Sequence, residues 1–414
     1  MKRFSQKTAL LQWLDRYMGV FLCGVFTAAR NLAELFSKSA EPAGYHSVLF
    51  VKLTEQGSTV LAYDALSRAV ARVGREHVYM LVFEENRFIV DLLAIIPEEN
   101  VLTVKTTSWW SMVISFISQL GAIRRRKIDA CVDLEFFSRS SAAIAWLTGA
   151  GCRVGFYSSS SAGPNRGDLF THRVCFDVKQ HTSSAFVRLV RTLESEPVNG
   201  SEIHNPASEI LAQPRFMPTV EERQAMEAVV RRLGATADSP LILLNANAGD
   251  LLPMRKWAGG NYVALARRLI EEVPGCLVLF TGSPDETAET SALVERVASA
   301  QCRSLAGHTT LRELVTLYTL ADVLVTNDSG PAHFAALTEI EVVVLFGPET
   351  PVLFAANTPR NHVIWAAVPC SPCVNAYNNR QTVCKNNLCM QSISVEQVYG
   401  SVERLCQKYR IAVG

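Results

Sequence analysis

Three short loops hold residue types that can meet a phosphorylated ligand. The first reads Asn327-Asp328-Ser329-Gly330-Pro331-Ala332-His333. It follows an apolar run at 323–326 and opens a helical one at 331–337. Asp328 or Ser329 can cap that helix, and Pro331 suits its first turn. Gly330 lets a ligand come close to the backbone. A helix N-terminus turns N–H groups toward an anion, and His333 adds a donor one turn in. An ordinary capped helix accounts for the same residues. The second loop, 245–257 (NANAGDLLPMRKW), ends in Arg255 and Lys256, a pair that can meet a diphosphate or lie in solvent. The third, Thr281-Gly282-Ser283-Pro284-Asp285-Glu286, fits a nucleoside contact or a turn with a helix cap.

A fourth group is sulfur-rich. Cys370, Cys373, Cys384 and Cys389 follow the pattern C-x2-C-x10-C-x4-C. That spacing permits a tetrahedral structural zinc site, and packed or redox-sensitive thiols fit it equally. The other seven of the 11 cysteines are scattered singly, several inside apolar runs, and the total is odd. Such usage points to reduced thiols in the cytoplasm rather than a secreted disulfide framework.

Positioning these loops takes a scaffold of alternating elements. Strands are expected at 46–53, 78–83, 101–104, 130–134 and 152–156, with helices at 59–73, 111–123 and 138–148 between them. Past a Pro-containing connection near 206–218, strands are expected at 241–245, 276–281, 323–326 and 341–346, and helices at 220–233, 261–272, 285–298, 311–320 and 331–337. Alternation of this kind predicts α/β units with parallel sheets covered on both faces. Three segments follow: 1–44 as an N-terminal extension, 45–215 as one domain and 216–414 as another. Two such domains place a cleft between the carboxyl ends of their strands, where open α/β sheets bind ligands. The basic run Arg124–Lys127 caps the negative end of its helix and faces solvent rather than an acceptor.

The 414 residues carry 40 Lys+Arg against 39 Asp+Glu, a net charge of +1. A near-neutral chain is not built to coat nucleic acid, and 49% apolar residues exclude disorder as its main state. Neither GxGxxG after the first strand nor GxxxxGK[ST] is present, which argues against a standard dinucleotide or P-loop site.

Apolar residues recur with helical spacing from Leu10 to Leu35. The uncharged stretch 17–29 is too short to cross a bilayer, which needs about 18–20 residues. With Lys2, Arg3, Lys7, Arg16 and Arg30 it reads as an amphipathic helix on a membrane surface; packing on the protein's own surface is the alternative, and an atypical signal peptide a third.

Taken together, FVKLTEQGSTVLAYDAL, DACVDLEFFSRS, RVGF, LLNANAG…RKW, LFTGSPDE, TNDSGPAHFAAL, VVVLFGPETP and PCSPC…C…CM resemble glycosyltransferase family 9, the heptosyltransferase family of lipopolysaccharide core synthesis. The resemblance runs from about His46 to Val398. It implies a GT-B fold, two Rossmann-like domains facing each other across a cleft. It implies inverting, metal-independent transfer of a heptose from ADP-heptose, or a related sugar from another nucleotide-sugar, to a lipid-anchored oligosaccharide acceptor at the cytoplasmic face of the inner membrane. No cofactor and no nucleic acid enter. The C-terminal domain would bind the donor, with Asp328, Ser329, Gly330 and His333 around sugar and diphosphate and Lys256 neutralising the leaving group. Asn245 and Gly249 would shape the loop beneath, with Gly282 beside the nucleoside.

One position departs from the family pattern. The family's first loop carries Gly-Asp, whose Asp is the expected general base; here the pair is Gly57-Ser58. Glu55, three residues before Ser58, is the nearest carboxylate and the expected replacement. Lys52 and His181 match family positions expected at the acceptor. A non-catalytic relative, binding nucleotide-sugar or lipid as a scaffold, is the competing expectation raised by Ser58.

Overall fold

The computed structural model describes residues 15, 17–32, 45–158, 165–194, 215–236, 238–249, 252–378 and 382–413. The basic residues Lys2, Arg3, Lys7 and Arg16, the connection near 206–214 and most of the polar loop 158–168 lie outside them.

The chain divides into two compact units, Lys2–Ala212 with Ala376–Asn379, and Gln213–Asn375 with Arg380–Gly414. The first holds β1 (Val48–Val51), β2 (Val78–Phe83), β3 (Val101–Val104), β4 (Ala130–Asp133), β5 (Cys152–Tyr157) and β6 (His172–Cys175). They run parallel in the order β3-β2-β1-β4-β5-β6. The second holds β7 (Leu241–Asn245), β8 (Leu277–Phe280), β9 (Cys302–Ser304), β10 (Val323–Asn327), β11 (Glu341–Phe346) and β12 (Asn361–Trp365), parallel in the order β12-β11-β10-β7-β8-β9. Each unit is therefore Rossmann-like, and each has one point where the strand order reverses: between β1 and β4, and between β7 and β10. Loops leaving the carboxyl ends of those strands form the crevice that open α/β sheets use for ligands.

The central strands are continuous apolar runs because helices bury both faces. Val48–Val51, Leu241–Asn245 and Glu341–Phe346 are buried at every residue. The single helix expected at 59–73 is two, Gln56–Val60 and Tyr63–Val73, separated by Leu61 and Ala62.

The helix over 17–32 packs on the first unit. The Asp15 carboxylate accepts from Ser140 N at 2.7 Å and Arg139 N at 3.2 Å, capping the helix Arg139–Leu147. Cys23 is buried, and Phe26 stacks on Trp146 with centroids 4.7 Å apart. Arg30 pairs with Asp168 at 2.9 Å. A Cβ at Gly19 would stand 2.7 Å from Arg139 Cβ, so only glycine allows this approach. The opposite side of the helix stays apolar and exposed at Phe21, Val25 and Leu32. No helix among the described residues is long and apolar enough to cross a membrane.

Candidate functional site

In the second unit, asparagines at the switch point tie neighbouring strand ends together. Asn327, last in β10, accepts from Trp257 N at 3.0 Å and donates to the Asn247 carbonyl at 3.1 Å. Asn247 N donates to Asn245 Oδ1 at 3.3 Å. Asn245, last in β7, donates to Thr281 Oγ1 at 3.3 Å, just past β8, and its carbonyl accepts from the Tyr262 hydroxyl at 3.1 Å. This network holds the three sequence-predicted loops side by side. Asn245 is thus an internal brace. Gly249, with φ at +67°, supplies a left-handed bend that other residues rarely adopt. Gly282 sits where a Cβ would come within 3.1 Å of Asn247 Nδ2 and 3.2 Å of Glu286 Oε2, so the backbone there is closely walled in.

Asp328 and His333 are buried, and Ser329 donates to the Asn327 carbonyl at 3.2 Å. The helix they open, Gly330–Ala335, has six residues, too few to build much of a macrodipole. Charge at this turn comes from a side chain instead. Arg255 donates through Nη1 to the Asp328 carbonyl at 3.0 Å and through Nη2 to Glu349, and its Nε lies 3.6 Å from Asp328 Oδ2. Both Arg255 and Glu349 are largely withdrawn from water.

Lys256, the cation expected there, points elsewhere. Its ammonium donates to both carboxylate oxygens of Glu289, at 2.6 and 2.7 Å, in a half-exposed pair. The helical turn Pro253–Arg255 and the clasp of Trp257 N by Asn327 fix successive side chains in different directions, so only Arg255 reaches the turn.

In the first unit the switch point carries the Glu55 loop. Glu55 has φ 66° and ψ 82°, a left-handed conformation costly for a residue with a Cβ. Its carbonyl accepts from Thr59 N at 3.1 Å and Ser58 Oγ at 3.0 Å, and its Oε2 accepts from Ser58 Oγ at 3.1 Å. Ser58 is buried, while the Glu55 side chain keeps 21% of its surface exposed.

Lys52, expected at an acceptor phosphate, is fully buried. Its Nζ lies 3.2 Å from Glu135 Oε2 and 3.9 Å from Glu55 Oε2. Glu135 Oε1 also accepts from Leu53 N at 2.8 Å and Thr54 N at 2.9 Å, so this carboxylate clamps the start of the loop. Strand pairing places it there: Val51 is opposite Asp133, which brings Leu53 beside Glu135 two residues later. Beneath, Arg166 pairs with Asp133, whose Oδ1 accepts from Glu135 N at 2.9 Å. Burial pushes the Asp133 carboxyl up, against the opposing pull of Arg166. Sequence reading missed Glu135 and Glu349; strand register sets the first beside Leu53, and the pair with Arg255 reveals the second.

His181 lies at the start of the helix Thr182–Glu194, where its Nδ1 sits 2.9 Å from Ser183 Oγ and accepts from Ser183 N at 3.3 Å. Of the four clustered cysteines, Cys389 is buried and Cys370 exposed. Burial pushes the Cys389 thiol up. Among the described residues no three His, Cys, Asp or Glu side chains gather into a group that could hold a metal.

The profile of glycosyltransferase family 9 (heptosyltransferase) matches residues 118–383, which contain the asparagine network, Arg255 and the Asn327 turn. A lipopolysaccharide heptosyltransferase 2 of Salmonella typhimurium is 32% identical over 148 residues, covering 35% of this chain and 42% of its own. The chain thus spans about two fifths of the length of the curated relatives it matches. The Escherichia coli ADP-heptose lps heptosyltransferase II superposes with a TM-score of 0.62 at 20% identity, over 88% of this chain and 99% of the other. A glycosyl transferase family 9 structure from Veillonella parvula gives 0.64 at 18%, over 90% and 100%. These likenesses show the α/β GT-B-like fold, and with the profile match over most of its length the chain belongs to glycosyltransferase family 9, the heptosyltransferase family.

Proposed function

We propose that the protein is an inverting glycosyltransferase that moves a heptose from ADP-heptose to a hydroxyl of a lipopolysaccharide core or other lipid-linked acceptor, at the cytoplasmic face of the inner membrane. The observation that carries this reading is Arg255 held between Asp328 and Glu349. One cation beside two carboxylates suits a sugar diphosphate, an anion joined to a polyol: the guanidinium meets the diphosphate and carboxylates accept sugar hydroxyls.

In this reaction the acceptor hydroxyl attacks the anomeric carbon, its proton passes to the Glu55 carboxylate, and the glycosyl–phosphate bond breaks to release ADP. Ser58, donating to Glu55, orients the base; Glu135 and Lys52 hold the loop that presents it. Arg255 stabilises negative charge growing on the leaving diphosphate, where a fixed charge counts most. Asp328, Ser329, Gly330 and His333 line the donor sugar, while Asn245, Gly249 and Gly282 set the loops under it. Residues 216–414 are the donor domain and 45–215 the acceptor domain, with His181 on the acceptor side. The reaction requires no cofactor, and the helix over 17–32 serves as the membrane contact. Relatives whose names carry lipopolysaccharide heptosyl transfer support the substrate assignment.

The test incubates the full chain with ADP-heptose and a deep-core acceptor and follows ADP. ADP release that requires the acceptor and matches product is the expected result. Donor binding without acceptor-dependent ADP release would overturn the reading and favour a scaffold.

A further inference from the structure

The helix Trp109–Arg126 leaves a stripe of large apolar side chains uncovered on the first unit. Trp110 is 73% exposed, Ile114 66% and Ile117 62%. Their spacing, i, i+4 and i+7, puts them on one face, which Gly121 and then Arg124 and Arg125 continue. Trp109 stands beside the stripe at 52% exposure. The opposite side of the helix is spent inward: Met112 and Phe116 pack against the core cluster that holds Cys23, Leu49 and Ile123. Phe26 of the helix over 17–32 packs against that same cluster. The two helices therefore cover one side of the first sheet, and each turns apolar residues away from it.

Charge selects what can cover them. From Lys105 to Lys127 there are five basic residues and no acidic one, and none occurs between Glu99 and Asp129. The helix over 17–32 likewise holds no acidic residue. Arg124, Arg125, Arg126 and Lys127 are exposed. Glu84 and Glu85 bond Thr106 near the start of the stripe, but at its far end a soluble partner or a second copy of this chain would meet the four like charges Arg124–Lys127. Anionic lipid supplies both an apolar layer and a dense negative plane. Tryptophan, with an apolar ring and one polar N–H, settles at that boundary.

We propose that the outer stripe of the helix Trp109–Arg126, beside the apolar side of the helix over 17–32, is a docking surface for an anionic phospholipid bilayer. Trp110, Ile114 and Ile117 enter the headgroup boundary while Arg124–Lys127 pair with lipid phosphates. The proposal deepens the membrane contact in the functional reading by adding a second, basic helix to it.

The experiment floats the full-length protein with vesicles of phosphatidylcholine alone or with about 30 mol% phosphatidylglycerol, at low and high salt. The wild type should bind the anionic vesicles, release with salt, and ignore the neutral ones. The variant Trp110→Ser/Ile114→Ser/Ile117→Ser should lose at least about tenfold in vesicle affinity with its Tm unchanged. Arg124→Gln/Arg125→Gln/Arg126→Gln should lose the salt-dependent part. Wild-type protein that ignores anionic vesicles, a serine variant that binds as well as wild type, or a lipid-independent dimer that the serine variant abolishes would each overturn the proposal. ADP release on a water-soluble acceptor separates this from the transferase reading. That activity should survive both variants, whereas its absence in the wild type would count against the reaction and leave vesicle binding as its own measurement.

Discussion

Ser58 Oγ donates to Glu55 Oε2 at 3.1 Å, and the same hydroxyl donates to the Glu55 carbonyl at 3.0 Å. The serine that stands where the family pattern has an acid thus holds a carboxylate three residues away, on a backbone bent to φ 66°. If Glu55 takes the acceptor proton, Glu55→Gln lowers kcat about 10²–10⁴-fold with donor KM little changed. Ser58→Ala, which removes only the orienting bond, costs about tenfold. Acceptor-dependent ADP release measures both. Full activity in Glu55→Gln would remove this residue from the mechanism.

The Lys52–Glu135 pair sets the loop. Both side chains are buried, and Glu135 also accepts two backbone N–H groups. Lys52→Met strands a buried carboxylate and Glu135→Leu strands a buried ammonium, so each single change costs about 3–5 kcal/mol. The double variant recovers only part of this, because Leu53 N and Thr54 N still lack their acceptor. Thermal unfolding of the four proteins at one pH reads the cycle; strictly additive losses would show that the two residues do not interact.

Arg255 and Lys256 are neighbours in sequence with opposite surroundings. Arg255 is largely covered, with 12% of its side chain exposed, against Asp328 and Glu349, and Lys256 pairs with Glu289 where water screens both. Arg255→Ala should lower kcat/KM about 10²–10³-fold. Lys256→Ala should stay within about twofold, as removal of a surface pair does. The reverse ranking would return the leaving-group role to Lys256.

The four clustered cysteines show no ligand set among the described residues. Protein purified without chelator should hold less than about a tenth of an equivalent of zinc, and a chelator should leave its Tm unchanged. One equivalent of tightly held zinc would establish the metal site that the spacing permits.

Much of this architecture is legible from residue pattern. β2, β7 and β11 match their apolar runs end to end, since central parallel strands are buried on both faces, and β3, though at a sheet edge, does so because three of its four residues are buried. β6, β9 and β12 were not read from the sequence. β9 and β12 are edge strands, as is β6, and His172–Cys175 buries only Val174 while Asn361–Trp365 buries none fully, so neither shows an apolar run. The helix Glu84–Leu93 also escaped, since it starts directly after β2 with no side-chain cap. At the site, the loops were visible as polar and glycine-rich breaks at strand ends. The choice between adjacent cations was not, because it depends on the turn Pro253–Arg255 and on Asn327 holding Trp257 N. Glu135 reads as part of an apolar strand end until the pairing of β1 with β4 sets it beside Leu53.

Asp64 gives a pH test independent of catalysis. It lies in the first turn of the helix Tyr63–Val73, buried, with Oδ1 lacking any hydrogen-bond partner, and burial pushes its carboxyl up to about 6 from 3.8. A carboxyl with a raised folded value binds its proton more tightly in the folded protein. Its favourable contribution is therefore complete below about pH 4 and is lost as pH rises through about 6. At neutral pH the ionised group therefore destabilises the fold. Asp64→Asn removes the titration. Its Tm should match or fall below the wild type near pH 4 and exceed it by a few degrees at pH 7.5. Melting curves across that range decide the matter, and a Tm difference that stays constant with pH would show that Asp64 does not titrate as its burial demands.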